Sequence, residues 1–405
     1  MRSPDDILRE AVAAYQAGRL SEAEAGYRQV LRQRPTSHLA LYGLALLSYQ
    51  AGARAAAIDY VRRSLNFEPK VGLTWNWLGT LYIETGQPDE ARMAFRRATE
   101  VSPDLGEAWC NLADCQLRDQ DADGAAQSWR RALACPPPHS RAFESLADLL
   151  RKQGRVAEAA QIVAAWLQRE PGNPIAQHMS AALGARDAPS RASDDYVRSY
   201  FDDFAAGFDA VLESLSYRGP DLVSSALQRL LHRSDAAAAA APAFPTLLDA
   251  GCGTGLCGPK VRALCARLVG VDLSPKMLDQ ARQRGCYDEL VAAELAQFMR
   301  SRPRAFDAIV CADTLVYFGA LAEALAAARM AMRGDAPLVF TVEALPTGDP
   351  ADHRLGTSGR YQHSERYVRR VLQECGLALE SLTRETTRKN LGQDVPGWLI
   401  VARPG

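Results

Sequence analysis

The sequence predicts two domains of different class: an all-α superhelical repeat array, then an α/β domain on a doubly wound, mainly parallel sheet. Three observations predict this. Pro35, Pro69, Pro103, Pro137 and Pro171 recur every 34 residues, and a fixed period of that length marks stacked supersecondary units. From Thr246 onward short apolar runs alternate with helical patterns, as in strands joined by crossover helices. The 405 residues also exceed one compact core, since domains cluster at about 100–150 residues. The predicted limits are 1–184 for the repeats, 185–194 for a linker and 195–405 for the second domain.

Composition narrows the partners. Hydrophobic residues at 47% and charged residues at 23% are ordinary for a globular chain. The net charge of −1 is divided evenly between the halves, so neither has the basic excess of a nucleic-acid or membrane-surface domain. No apolar run approaches the ~20 residues of a membrane-spanning helix. The N-terminal MRSPDDILRE lacks the apolar stretch of a signal peptide. The expectation is a cytoplasmic protein. Its nine cysteines form no C-x-x-C pair, which predicts free thiols in a reducing compartment and no metal site.

Within each period two helices are expected. Gly18, Gly52, Gly86 and Gly154 keep the interval, with Gln120 in the vacant slot. In the third repeat Trp75, Leu78, Gly79 and Tyr82 share one helical face, and Ala91, Phe95 and Ala98 share another. The fourth repeats this with Trp109, Leu112, Ala113 and Ala125, Trp129, Ala132. Small residues allow close approach of antiparallel helices, aromatic residues wedge between them, and proline stops the second helix. Residues 4–171 thereby resemble the tetratricopeptide repeat family, with degenerate first and second repeats. The resemblance implies a surface for a peptide or partner protein, with no catalysis in the array. Residues 174–184 are expected to cap it.

ARDAPSRASDD (185–195) has linker composition, and SDAAAAAAPAFP (234–245) is low-complexity. Between them YVRSYFDDFAAGFDAVLESL predicts one long helix, and residues 220–232 a second. Strands follow at 246–250, 268–272, 288–294, 306–313 and 337–344. A helix is expected from the first strand's glycine turn through Arg267, and further helices from Pro275 and at 364–375. The segments 378–384 and 397–404 predict a closing hairpin that inserts an antiparallel strand.

The sharpest feature is LLDAGCGTG, Leu247–Gly255, joining a strand to a helix. Glycines at 251, 253 and 255 allow a tight turn and close approach to a ligand. Asp272 ends the next strand, where a carboxylate can accept from both ribose hydroxyls. Gly253, Gly255 and Gly258 also satisfy G-x-G-x-x-G, so a nicotinamide-dependent oxidoreductase stays open. Against it, Asp249 is poorly placed beside a pyrophosphate and well placed beside a cation.

At these residues the chain resembles class I S-adenosylmethionine-dependent methyltransferases, over roughly 195–404. YVRSYFDDFAAGFDAVL, LLDAGCGTGLCG, GVDLSPKML and GRYQHSERYVRRVL are similar to bacterial predicted methyltransferases that carry tetratricopeptide repeats. The resemblance implies S-adenosylmethionine as cofactor. Asp249, Gly251, Cys252, Gly253 and Gly255 would hold its methionine part, and Asp272 the ribose, with Leu273 packed nearby. Glu294 would meet the adenine amine. Asp313 would face the methyl group and its acceptor, which is a small molecule, a carrier-bound intermediate or a protein side chain. Candidate bases are His363 and Asp313, with Tyr317 and Glu343 behind them. Tyr196, Tyr200, Phe201 and Phe204 are weighed as an aromatic lid or as core. A non-catalytic scaffold with a vestigial cofactor fold remains an alternative.

Overall fold

The computed structural model describes residues 2–233, 242–390 and 392–405. Most of the low-complexity stretch therefore lies outside the described residues. Chain contacts divide the protein into two compact units, Met1–Trp166 and Leu167–Gly405.

The first unit is built from the helices α1 (Pro4–Gln16), α2 (Leu20–Gln33), α3 (His38–Gln50), α4 (Arg54–Phe67), α5 (Gly72–Glu84), α6 (Pro88–Val101), α7 (Gly106–Arg118), α8 (Ala122–Ala134), α9 (Ser140–Lys152) and α10 (Val156–Arg169). The wedge mechanism is visible at Gly79, where a Cβ would come within 2.5 Å of the Phe95 ring. The periodic prolines also accept hydrogen bonds: Trp75 Nε1 donates to Pro69 O and Trp109 Nε1 to Pro103 O, both at 2.9 Å. Trp129 is buried, as a core residue. Ser64, in a slot where a small apolar residue is usual, donates to His38 O at 2.9 Å.

The turn glycines explain their own period. Gly18, Gly52, Gly86 and Gly154 all adopt φ between 73° and 77°, and Gln120 adopts 65° in the same slot. Only glycine enters this left-handed region without a Cβ penalty of ~1–2 kcal/mol. Gln120→Gly should therefore stabilise the array by about 1 kcal/mol, read as a raised denaturation midpoint. An unchanged or lower midpoint would mean the Gln120 side chain compensates for its backbone.

The second unit begins with α11 (Pro174–Ala182), expected above to cap the repeats. Its Ala181 and Ala182 pack with Leu355 and Tyr361. Its His178 stacks on Tyr196 at 3.9 Å and hydrogen-bonds Gly359 O at 2.8 Å. The predicted linker is likewise bound to this unit. Ala192 N–H donates to Tyr317 O, the Gly319 and Ala320 N–H groups donate to Ser190 O, and Tyr361 Oη donates to Pro189 O. Linker composition gave no hint of these partners, because they belong to residues far away in sequence.

The long helix splits into α12 (Asp194–Phe204), a 3₁₀ turn at Ala205–Gly207 and α13 (Phe208–Ser214), before α14 (Gly219–Arg233). The sheet follows as β1 (Phe244–Ala250), β2 (Cys265–Asp272), β3 (Glu289–Ala292), β4 (Ala308–Cys311), β5 (Leu338–Ala344), β6 (His353–Leu355), β7 (Tyr361–His363), β8 (Leu377–Asn390) and β9 (Gln393–Pro404). Its helices are α15 (Gly258–Val261), α16 (Pro275–Gln283), α17 (Leu295–Ser301), α18 (Ala322–Ala331) and α19 (Glu365–Glu374). The predicted helix through Arg267 is only α15 and a 3₁₀ turn, because Cys265 and Arg267 already pair with Phe244 and Thr246 of β1.

Strand order is β3-β2-β1-β4-β5-β7-β6, with β9 antiparallel to β5 and to β8. The expected closing hairpin is β8–β9; the short β6–β7 pair was not foreseen. Leu247, Leu268, Val310, Val339 and Leu399 from the strands bury against Leu227 and Leu230 of α14. Order reverses between β1 and β4, and a crevice opens at the strand ends beside such a switch point.

Candidate functional site

One cavity occupies that crevice, with about 1000 Å³ of space counted out to its open mouth. Each strand end supplies part of the wall. Gly251, Cys252, Gly253 and Thr254 follow β1, Asp272 and Leu273 close β2, Ala293–Leu295 follow β3, and Ala312–Thr314 follow β4. Val197, Phe201, Phe208 and Leu212 of α12 and α13 add an apolar wall. Asp202 and Asp209 anchor that wall. Asp202 accepts from Ser274 Oγ at 2.5 Å, and Asp209 from Thr254 Oγ1 at 2.6 Å and from Arg284.

The glycine loop is closed on itself. Gly251 and Cys252 N–H groups donate to Val271 O, Gly255 N–H to Cys252 O, and Gly258 N–H to Gly255 O. Gly253 N–H donates to Asp272 Oδ2 at 2.9 Å, and Ser274 N–H to Asp272 Oδ1 at 2.9 Å. Burial pushes the Asp272 carboxyl up, partly opposed by these N–H donors.

Of the residues singled out in sequence, Gly251, Cys252, Gly253, Asp272, Leu273, Glu294 and Asp313 share the cavity wall. Gly255 does not line it, but supports the loop from behind against Tyr287 and Ala281. Asp249, expected beside a cation, also lies off the wall, 1% exposed beneath the loop. Tyr287 Oη donates to its Oδ2 at 2.6 Å, while Oδ1 has no hydrogen-bond partner among the described residues. Burial raises its carboxyl to about 7, with the Tyr287 hydrogen bond opposing and nearby Asp272 reinforcing. Its place is structural, under the loop. Glu294 lines the cavity, yet both its oxygens accept from the N-terminal N–H groups of α17, Ala296 at 3.0 Å and Gln297 at 2.6 Å. Of the four weighed lid aromatics, Phe201 alone lines the cavity; Tyr196 is buried against His178.

His363 is not placed as a base. It does not line the cavity, it is fully buried, and its Nε2 lies 2.8 Å from Phe318 O and 3.2 Å from Gly319 O. Two carbonyl partners assign the proton to Nε2, and Nδ1 is buried without a hydrogen-bond partner among the described residues. Burial therefore depresses its pKa to about 4. The folded protein holds the ring neutral while the unfolded chain protonates it near the ordinary value of about 6.5, so stability falls as pH drops from about 6.5 towards 4. The shift corresponds to about 3 kcal/mol. His363→Gln, which keeps an N–H donor but takes no proton, should flatten the decline in melting temperature between pH 7 and 4.5. An equally steep decline would assign the acid sensitivity elsewhere.

Asp313 lines the cavity at φ 57°, its N–H donating to Thr341 Oγ1 at 2.9 Å. Its carboxylate is held by Arg360 at 2.7 Å and Arg388 at 3.4 Å. Arg388 also binds Glu343, which is buried and does not line the cavity. The sequence reading missed Arg360, Arg388, Tyr217 and Tyr287. Arg360 stood within the very motif that drew attention to His363. Among the described residues no group of His, Cys, Asp or Glu is arranged to hold a metal ion, and no helix is long and apolar enough to cross a membrane.

Residues 247–335 match the family model described as a methyltransferase domain, and residues 8–70, 78–140 and 123–174 match that of the tetratricopeptide repeat. The chain is thus similar to tetratricopeptide repeats over its first part and to a methyltransferase domain over part of its second. It is 30% identical over 151 residues to human methyltransferase-like protein 27, covering 37% of this chain and 58% of the relative. It is 25% identical over 162 residues to magnesium-protoporphyrin O-methyltransferase of a Synechocystis strain, covering 36% and 69%. The chain spans little more than half of the human relative and 23% of the bovine 18S rRNA (guanine-N(7))-methyltransferase it also matches. Among solved structures, the Synechocystis magnesium protoporphyrin IX methyltransferase with bound S-adenosylhomocysteine aligns over 52% of this chain and 99% of that one, at 19% identity and TM-score 0.39. YrrB, a tetratricopeptide repeat protein, aligns over 42% and 89%, at 20% identity and TM-score 0.36.

Proposed function

We propose that the second unit is an S-adenosylmethionine-dependent methyltransferase acting on a small-molecule, carrier-bound or protein acceptor, and that the repeats bind a protein or peptide partner. The observation that carries the cofactor is the closed glycine loop. The N–H groups of Gly251, Cys252, Gly253, Gly255 and Gly258 all donate within the protein, leaving none of these five for a pyrophosphate. The helix after the loop, α15, has four residues, too short to build a useful macrodipole at a phosphate. Asp272, at the end of β2 on the cavity wall, adds like charge beside any dinucleotide. A ligand with ribose hydroxyls and a cationic amino-acid end meets none of these obstacles.

S-adenosylmethionine supplies a methyl group on a positively charged sulfur. Gly251 and Gly253 allow the loop to approach it, and Asp272 accepts from the ribose hydroxyls with the lone pairs its two N–H donors leave free. Phe201, Phe208 and Tyr317 keep water away and hold the acceptor in line, the alignment that gives such displacements most of their rate. Asp313, paired with two arginines, positions the acceptor.

Calorimetry on the whole chain tests this. S-adenosylhomocysteine should bind one to one and NAD should not; the reverse would replace the proposal with a dinucleotide-dependent reading. Transfer of labelled methyl to a lysate fraction should follow. Binding without any transfer would favour the scaffold alternative.

A further inference from the structure

The cavity wall beyond β4 carries charges that the methyl-transfer chemistry does not require. Arg360 and Asp313 line the cavity, 18% and 11% exposed at their side chains. Behind them Arg388 and Glu343 are 7% and 4% exposed and do not line it. Arg360 Nη1 lies 2.7 Å from Asp313 Oδ2 and 3.8 Å from Glu343 Oε1. Arg388 binds Glu343 through Nη2 and reaches Asp313 Oδ1 at 3.4 Å. The quartet holds two cations and two carboxylates, so its formal charge is zero. The other cation on the wall, Arg191, is paired with Asp194, while Asp272 and Glu294 belong to the cofactor end.

Two consequences follow. An anionic acceptor at this wall would face Asp313 and Glu343, and a cationic one Arg360 and Arg388, with little water to screen either. A neutral dipolar group meets no such penalty. The pair also presents complementary edges. The hydrogen bonds of Arg360 engage only Nη1 among the described residues, leaving Nε and Nη2 as donors, and Asp313 Oδ1 has a single partner, at 3.4 Å. Phe201, Phe208, Tyr217, Tyr317 and Phe318 supply flat apolar surface around them.

We propose that the Arg360–Asp313 pair selects the methyl acceptor as an uncharged planar molecule presenting a hydrogen-bond acceptor beside a donor, the edge of a carboxamide, a lactam or a hydroxy-carbonyl group. This rests on the methyltransferase reading above. Arg360 donates to the acceptor oxygen, Asp313 accepts from the neighbouring N–H or O–H, and the aromatic residues sandwich the ring.

The test uses the whole chain saturated with S-adenosylhomocysteine, titrated with benzamide, benzoate and benzamidinium at millimolar concentration. The three probes share one size and shape and differ in charge. Benzamide should bind at least tenfold more tightly than either charged probe. Arg360→Gln should shift the preference towards benzamidinium, and Asp313→Asn towards benzoate, since each removes one charge from a balanced set. A purely structural pair would weaken all three probes alike, and that result counts against the proposal. A charged probe matching benzamide on the unmodified protein overturns it, as does no saturable benzamide binding while S-adenosylhomocysteine binds. The ranking on unmodified protein decides even where a variant misfolds. Failure of S-adenosylhomocysteine itself to bind would instead remove the underlying reading.

Discussion

Gly251→Ala should weaken S-adenosylhomocysteine binding by at least tenfold while leaving the repeat unit's unfolding unchanged. Gly251 sits at φ 76°, and an added Cβ would lie 2.7 Å from Thr314 Cβ, with the Thr314 hydroxyl and methyl nearer still. The left-handed backbone costs an alanine ~1–2 kcal/mol, and overpacking a tight contact adds ~1–3 kcal/mol. Relief requires either the β4 turn or the loop to move. Thr314 Oγ1 donates to Gly251 O at 3.2 Å, and Val271 O accepts from the Gly251 and Cys252 N–H groups. The two walls therefore move together, and both face the cavity. Calorimetry for the ligand and a melting profile for the two units separate the effects. Unchanged affinity would mean that this turn is not a cofactor wall.

The sequence carried the periodic features well, because each has a local cause. A 34-residue period needs one left-handed turn residue and one helix stop per repeat, and both leave a mark in composition. The structure keeps the turn geometry even at Gln120, where the mark is missing. Strands β1 to β5 were legible as apolar runs, and Asp272 at the end of β2 as a strand-end acid. Asp249 misled for a reason of geometry. In β1 consecutive residues Leu247 to Ala250 are all buried, as in any parallel strand covered on both faces. Alternation thus gave no sign of which side Asp249 takes. His363 misled differently: a histidine in a polar run looks available, but the short strand β7 carries it inside, and a three-residue strand leaves too little pattern to detect. Arg388 and Glu343 come from β8 and β5, and the pairing of Arg388 with both Glu343 and Asp313 exists only in the folded sheet. A charge quartet assembled from four separate segments has no sequence spacing to read.

Asp272→Ala should lower cofactor-analogue affinity by about ten- to a hundredfold, the ~1.5–3 kcal/mol of a hydrogen bond to a charged group. The acid stands at the end of β2, where Gly253 N–H and Ser274 N–H each donate to one of its oxygens at 2.9 Å. Alanine removes the ribose acceptor and leaves those two donors without their carboxylate, so the loop loosens as well. Asp272→Asn separates the contributions. It keeps one carbonyl oxygen for the loop but turns an N–H₂ towards a donor, so affinity should fall while the melting temperature recovers part of the alanine loss. The pH dependence has a fixed sign. Burial raises the Asp272 carboxyl above its ordinary range, and only the ionised form accepts from both hydroxyls. Affinity in the unmodified protein should then decline as pH falls towards that raised value, and the asparagine variant, having no proton to take up, should show no such decline. A parallel decline in both proteins would move the titration to another group and remove Asp272 from the ribose.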